Sequence, residues 1–243
     1  MAKVKFVPTE AAKESYEGAY LVTGFMGFGF VGALSTEYLV EKLDMVKVGF
    51  FITKYTPDQV SYSEKYSLEL PFELYYHEKS NLLVLLNRWI PHEVEKFRYA
   101  QFVVKWAKKN GVKAIYGLGG LDSSFKEEPS ETLRWVKTSY YNGPLPQAKP
   151  MVGGLKVIGP LAHLLIASEI EKFPMLALLP YCESASRQDP RASAIGITEL
   201  AKLIKLEVDV SDLFAKAENM EKEMEKLKKI LEMSVSKKDS YYI

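Results

Sequence analysis

Gly18-Ala19-Tyr20-Leu21-Val22-Thr23-Gly24-Phe25-Met26-Gly27-Phe28-Gly29-Phe30-Val31-Gly32-Ala33-Leu34 opens the stretch that decides the fold. The apolar run from Gly18 to Thr23 reads as a strand, and Gly24 to Gly32 as a glycine-rich turn. Leu34, Tyr38, Leu39 and Leu43 then recur at helical spacing. Met45 to Thr53, with Val46, Val48, Phe50, Phe51 and Ile52, is apolar enough for a strand buried on both faces. Strand, glycine turn, helix and strand in that order predict a βαβ unit.

The alternation continues outward. Leu68 to Tyr76 and Asn81 to Asn87 read as two strands of a hairpin around a polar turn. Pro91 suits the first position of a helix running to about Asn110, where Gly111 stops it. Val112 to Gly117 reads as a further strand. Residues 121–150 are polar and hold Pro129, Pro144, Pro146 and Pro150, as a surface loop or insertion would. Leu155 to Ile158 reads as a strand, Gly159-Pro160 as the start of a helix to about Lys172, and Met175 to Leu179 as a strand ended by Pro180. Asp189-Pro190 has the form of an N-cap and first turn for a helix to about Leu206. Residues 1–17 carry little pattern. The expected fold is a three-layer α/β/α domain over residues 1–210, with a mixed, largely parallel sheet.

The charges nearly cancel, with 32 basic and 31 acidic residues, so no global field draws the chain to nucleic acid or an anionic membrane. No apolar run approaches the roughly 20 residues a spanning helix needs. Met1 to Glu10 lacks the apolar core of a signal peptide. The single cysteine, Cys182, rules out an intrachain disulfide. These features predict a soluble cytoplasmic protein.

The C-terminal segment has a different pattern. After a capping Ser211 or Asp212, apolar residues fall at Leu213, Ala217, Met220, Met224, Leu227 and Leu231, at spacings alternating between four and three. That is an a/d seam held for more than two heptads. The remaining faces are nearly all Lys and Glu, with Glu218 and Lys222, and Glu225 and Lys229, at the favourable separation of four. An apolar stripe on a helix commonly lies on its own core. A seam this narrow favours pairing with another helix, from a second copy of the chain. The expected limits are 211–233 for this projecting helix and 234–243 for a flexible polar tail that ends Tyr241-Tyr242-Ile243. Two aromatics and a free carboxylate at the end of a polar segment suit insertion into a partner's pocket.

A hydrophobic residue, Tyr and any residue at a free C-terminus is similar to the docking signature of proteasome activators and some assembly factors. In the body, the segment from Gly24 through Leu43, the Gly117–Gly120 turn and Gly159-Pro160-Leu161 resemble the proteasome-assembly-chaperone family. So do Tyr181-Cys182-Glu183, Asp189-Pro190-Arg191-Ala192 and Val208-Asp209. The resemblance covers about residues 18–215 and is nearest to archaeal members. It implies a non-enzymatic, homo-oligomeric protein that acts without ATP and binds no cofactor. The implied partners are the proteasome α-ring, other copies of itself and, as a further candidate, a related chaperone chain. It also implies that the Ile243 carboxylate pairs with a pocket lysine, that Tyr242 helps shift the gate, and that Tyr241 fills the hydrophobic position.

The alternatives are an assembly chaperone for other partners with the tail unused, and an enzyme acting on a nucleoside-like small molecule; the chemistries that an enzyme would need have weaker support. Gly27, Gly29 and Gly32 match the dinucleotide fingerprint, but the next strand ends Ile52-Thr53-Lys54 without the acid that would hold a ribose. A tight turn with close helix–strand packing is the better account. Cys182 with His163 as base would make a nucleophilic pair, yet a cysteine at a strand end is more often a small buried apolar residue. His77, His92 and His163 have no metal-ligand spacing. Asp122, Ser123 and Ser124 suit capping better than phosphate binding. Tyr55, Tyr62, Tyr66, Tyr75 and Tyr76 fit either an interface or ordinary strand preference.

Overall fold

The computed structural model describes residues 4–64 and 67–239, with side chains to residue 227 apart from that of Ser67. In chain order its elements are β1 (Lys5–Pro8), β2 (Tyr20–Gly24), α1 (Val31–Lys42), β3 (Val46–Ile52), β4 (Ser61–Ser63), β5 (Ser67–Glu69), β6 (Phe72–His77), β7 (Leu82–Asn87) and α2 (Lys96–Lys109). There follow β8 (Ala114–Leu118), β9 (Leu121–Asp122), β10 (Leu133–Lys137), α3 (Gly159–Ile170), β11 (Met175–Cys182), α4 (Pro190–Ile204) and α5 (Ser211–Asp239).

Nine strands form one sheet in the order β1-β3-β6-β7-β2-β8-β11-β10, with β9 beside the end of β11. The sheet is mixed. Its centre, β7-β2-β8-β11, is parallel, and both flanks are antiparallel. Side chains alternate between two cores, as the two-residue period of a strand requires. Leu21, Leu83, Leu85, Ile115 and Ala177 face α2 and α3. Val22, Val84, Tyr116, Leu176 and Leu178 face α1 and α4. Every residue of β7 is buried, which is why the run Leu82–Leu86 is apolar without alternation.

Several boundaries differ from the sequence expectation. Lys5–Pro8, unpatterned in sequence, adds an edge strand to β3. The helix expected from Pro91 starts at Lys96, because the buried Glu95 carboxylate turns back to accept the Lys54 and Tyr55 amides at 3.0 and 2.8 Å. The expected strand Leu155–Ile158 does not form, since β10 already occupies that edge of the sheet. β11 runs through Pro180 to Cys182. Tyr181 donates its amide to Thr132 on the β10 side, so Pro180 faces the β8 side beyond the last β8 pair, Leu118 with Leu178, and no donor is missed. β10 itself lies inside the segment 121–150 that reads as loop. α5 continues past Met233 to Asp239, because Ser234 to Lys238 include neither Gly nor Pro to stop it.

Candidate functional site

The C-terminal ends of β2, β8 and β11 meet the first turns of α1 and α4. A Cβ on Gly32 would lie 2.5 Å from the Leu118 carbonyl oxygen and 2.6 Å from the Phe25 nitrogen. Gly29 sits at φ +60° against Cys182, and its carbonyl accepts the Asp189 amide at 2.9 Å. Gly32 thus packs backbone against backbone and Gly29 takes a left-handed turn against the Cys182 side chain, which accounts for these glycines without a pyrophosphate. Strand order excludes the dinucleotide reading. The strand after α1 lies beyond β7 and β6 from β2, instead of beside it as that fold requires.

The other chemical candidates are taken up by packing. Cys182 is buried with Val31 and Ala192 on the α1/α4 side, while His163 on α3 meets Phe97 across the opposite face, ring centroids 6.1 Å apart. Burial, then the Asp189 and Asp122 carboxylates, push the Cys182 thiol up to about 12. The native thiol is therefore expected to resist iodoacetamide at pH 8 and to react fully after unfolding in guanidinium. Rapid native alkylation, read by mass spectrometry, would contradict this. Asp122 and Asp189 act as caps, accepting the amides of Ser124 and Ala192 at 2.8 Å each. Among the described residues no three His, Cys, Asp or Glu side chains cluster to hold a metal.

The C-terminal seam is divided. Leu213 and Ala217 are each 3% exposed and pack on the body, Leu213 in the α1/α4 core. Arg191 grips Glu221 with two bonds of 2.8 and 3.0 Å, and Lys42 holds Asp212 at 2.6 Å. α5 therefore runs antiparallel to α4 and leaves the body at the same end as the glycine turns. Met220 and Met224 are half-buried and line a groove of about 490 Å³. Pro129, Tyr181, Arg187 and Pro190 line its other side. Leu227 is 55% exposed. The helix continues to Asp239, about 27 Å beyond Glu221 at 1.5 Å per residue. The Leu231 side chain and the tail Tyr241, Tyr242 and Ile243 lie outside the described residues.

The sequence profile of the PAC2 family matches residues 21–228. This chain belongs to the PAC2 family. Two uncharacterized proteins of Methanocaldococcus jannaschii are similar to it, one 24% identical over 90% of this chain and 86% of its own length, the other 25% identical over 92% and 90%. Among solved structures, Pyrococcus furiosus PbaA, described as an archaeal homolog of proteasome-assembly chaperone, superposes with a TM-score of 0.79 at 21% identity, covering 99% of this chain and 98% of its own. Pyrococcus furiosus PbaB, described as an archaeal proteasome activator, gives a TM-score of 0.74 at 19% identity, covering 94% and 100%. The α/β/α fold is thus that of PbaA and PbaB.

In this PAC2 chain, an ionic cluster beside the groove escaped the sequence reading. Arg134, on β10, is fully buried. It reaches both Glu131 oxygens at 2.9 Å, Glu127 at 3.0 Å, the Tyr181 hydroxyl at 3.0 Å and the Pro150 carbonyl at 3.2 Å. Lys149 adds a second cation to Glu127 and Glu131, at 3.1 and 3.0 Å. Leu133-Arg134-Trp135-Val136 has strand-forming residues that could have revealed β10, but the surrounding prolines favour a loop reading. The cluster fixes segment 123–134 as one wall of the groove. Burial alone would raise the pKa of Glu131. The Lys149 bond, the Glu127 amide, Arg134 and Tyr181 outweigh it and hold the carboxyl at about 2.

That value lies below the ordinary glutamate pKa of about 4.3 in the unfolded chain. The stabilisation from Glu131 is therefore complete above pH about 4.3 and is lost as pH falls towards 2. Between pH 6 and 3 the native chain should lose more stability in urea than Glu131→Gln. Parallel losses would disconnect Glu131 from acid unfolding.

The tyrosines divide between both readings. Tyr75 and Tyr76 are buried, Tyr55 and Tyr62 are exposed, and Tyr66 lies outside the described residues.

Proposed function

We propose that this PAC2 protein is a non-enzymatic partner of the proteasome that docks C-terminal tails on the α-ring and acts without ATP. The observation that carries this reading is α5, held to the body by Leu213, Ala217 and the Arg191–Glu221 pair and continuing well beyond it. A helix so anchored presents whatever follows it at a defined distance from the domain. The tail residues Tyr241, Tyr242 and Ile243 have the chemistry for a pocket that offers apolar walls and a cation. PbaB, a similar fold described as a proteasome activator, supports the same reading.

In this reading Met220, Met224, Leu227 and Leu231 pair with other copies, so several weak tails act together. The glycine turns and Cys182 serve packing. An assembly chaperone is the second reading, favoured by the likeness to PbaA.

The test is peptide hydrolysis by a closed-gate archaeal proteasome core, with the full chain or with a chain ending at Ser240. Native mass spectrometry of the same mixtures separates the two readings. Tail-dependent stimulation identifies an activator. A complex without stimulation identifies an assembly factor. Neither stimulation nor a complex overturns both.

A further inference from the structure

The chain has five asparagines, and two of them precede glycine, Asn110-Gly111 and Asn142-Gly143. Asparagine is chemically labile. Before glycine it is most open to attack by the next backbone nitrogen on its side-chain carbonyl carbon, because no Cβ stands in the way. The attack needs two free groups, the carboxamide and the amide that follows it. The fold treats the two pairs in opposite ways.

Asn110 closes α2, and both groups are engaged. Its side-chain nitrogen donates to the Trp106 carbonyl at 2.7 Å, and the Gly111 amide donates to the Lys108 carbonyl at 3.5 Å. Gly111 sits at φ +77°, the left-handed close of a helix. Asn142 lies in the loop between β10 and α3, and both it and Gly143 are exposed. Among the described residues neither the Asn142 carboxamide nor the Gly143 amide makes a hydrogen bond. Pro144 disfavours helical backbone at Gly143, so that amide stays out of a helical turn. Asn219 is exposed too, but the residue after it, Met220, lies inside α5, where the helix holds its amide. The side chains of Asn81 and Asn87 are hydrogen-bonded, and neither precedes glycine.

We propose that Asn142 is a site of spontaneous modification, converted in the native chain to aspartate and isoaspartate while Asn110 is spared. The Gly143 nitrogen bonds to the Asn142 side-chain carbonyl carbon. The bond from that carbon to its amide nitrogen breaks, and the Gly143 amide proton reaches the departing group through solvent, giving ammonia. One water then opens the five-membered imide. Attack at the side-chain carbonyl leaves aspartate. Attack at the backbone carbonyl leaves isoaspartate, with the main chain routed through the side chain. In sum one water is consumed, one ammonia is released, and a neutral amide becomes a carboxylate, with no oxidation or reduction. The new charge has a defined setting. Asn142 and Gly143 line a cavity of about 470 Å³ walled by Tyr20, Tyr116, Tyr140 and Tyr141. Lys113 is the charged residue among those that line it, its ammonium 5.3 Å from the Tyr20 ring centre. Conversion therefore gives this cationic cavity an opposing carboxylate.

The test holds the full chain folded at pH 8 and, in parallel, unfolded in guanidinium, then digests it and follows the peptides by mass spectrometry. In the folded chain the peptide with Asn142 should gain acid in two chromatographic forms. The peptide with Asn110 should react about tenfold more slowly or less, since its hydrogen bonds must open first. In guanidinium that gap should close. The folded rate at Asn142 should rise from pH 6 to pH 8, because the attacking nitrogen must lose its proton. Asn142→Gln, whose longer side chain closes a less favourable ring, should abolish the product there and keep the melting temperature. Conversion at Asn142 only after unfolding, or no faster than at Asn110 in the folded chain, overturns the proposal. A gap that persists in guanidinium places the selectivity in local sequence and overturns it as well.

Discussion

A chain ending at Ser240 is expected to lose all stimulation of a closed-gate proteasome while keeping its assembly mass and melting temperature. The three missing residues lie past α5, whose hold on the body is made upstream by Leu213, Ala217 and Glu221. Truncation after Ser240 leaves those anchoring contacts in place. It does remove both tyrosines and shifts the terminal carboxylate three residues closer to the body. Because the helix reaches Asp239, few residues separate the rod from the carboxylate, and Ser240 cannot make up the distance. Multivalence sets the size of the effect. Tails held together act at effective concentrations of about millimolar, which can raise apparent affinity about 100- to 10,000-fold over a single tail. A free peptide ending Tyr-Tyr-Ile should accordingly stimulate only at concentrations far above those needed for the full chain. Equal stimulation by the full and shortened chains would remove the tail from the mechanism.

Gly24→Ala and Gly32→Ala should each destabilise the domain by about 3 kcal/mol, near the upper end for overpacking. At Gly32 the new methyl would press on the Leu118 carbonyl and the Phe25 nitrogen. At Gly24 it would meet the Gly32 backbone, with the Gly32 carbonyl carbon at 2.5 Å. Backbone atoms have no rotamer by which to yield, so α1 must lift from β2 and β8. Both substitutions force the same separation. The double variant should therefore lose clearly less than the sum of the two, because sites that share one contact are not additive. Urea unfolding of all four chains measures this. Strict additivity, or single losses under 1 kcal/mol, would show that the turn relaxes freely and that its glycines have another purpose.

This glycine contact was legible in sequence as a tight turn. The neighbouring Arg134 cluster was not. Its partners span Phe125 to Tyr181, and only the folded sheet brings Lys149, Glu127 and Tyr181 around one guanidinium. An arginine between Leu133 and Trp135 gives no local sign of being buried. Likewise, each strand of the β6–β7 hairpin was readable, while its insertion between β3 and β2 was not. Edge strand β1 is only four residues long and nearly patternless, so it depended on an available neighbour, β3.

The sequence by itself determined the alternation of strands and helices, the capping of α4 by Asp189 and the seam along α5. Each of these is a periodicity or a local backbone preference, expressed within a few turns of chain. Tertiary structure alone decided the strand order and the burial of Arg134. It also decided the division of the seam, with Leu213 and Ala217 taken into the body and Leu227 left outside. A stripe of apolar residues specifies that a face must be covered. What covers it depends on which surfaces the rest of the chain, or another copy, brings within reach.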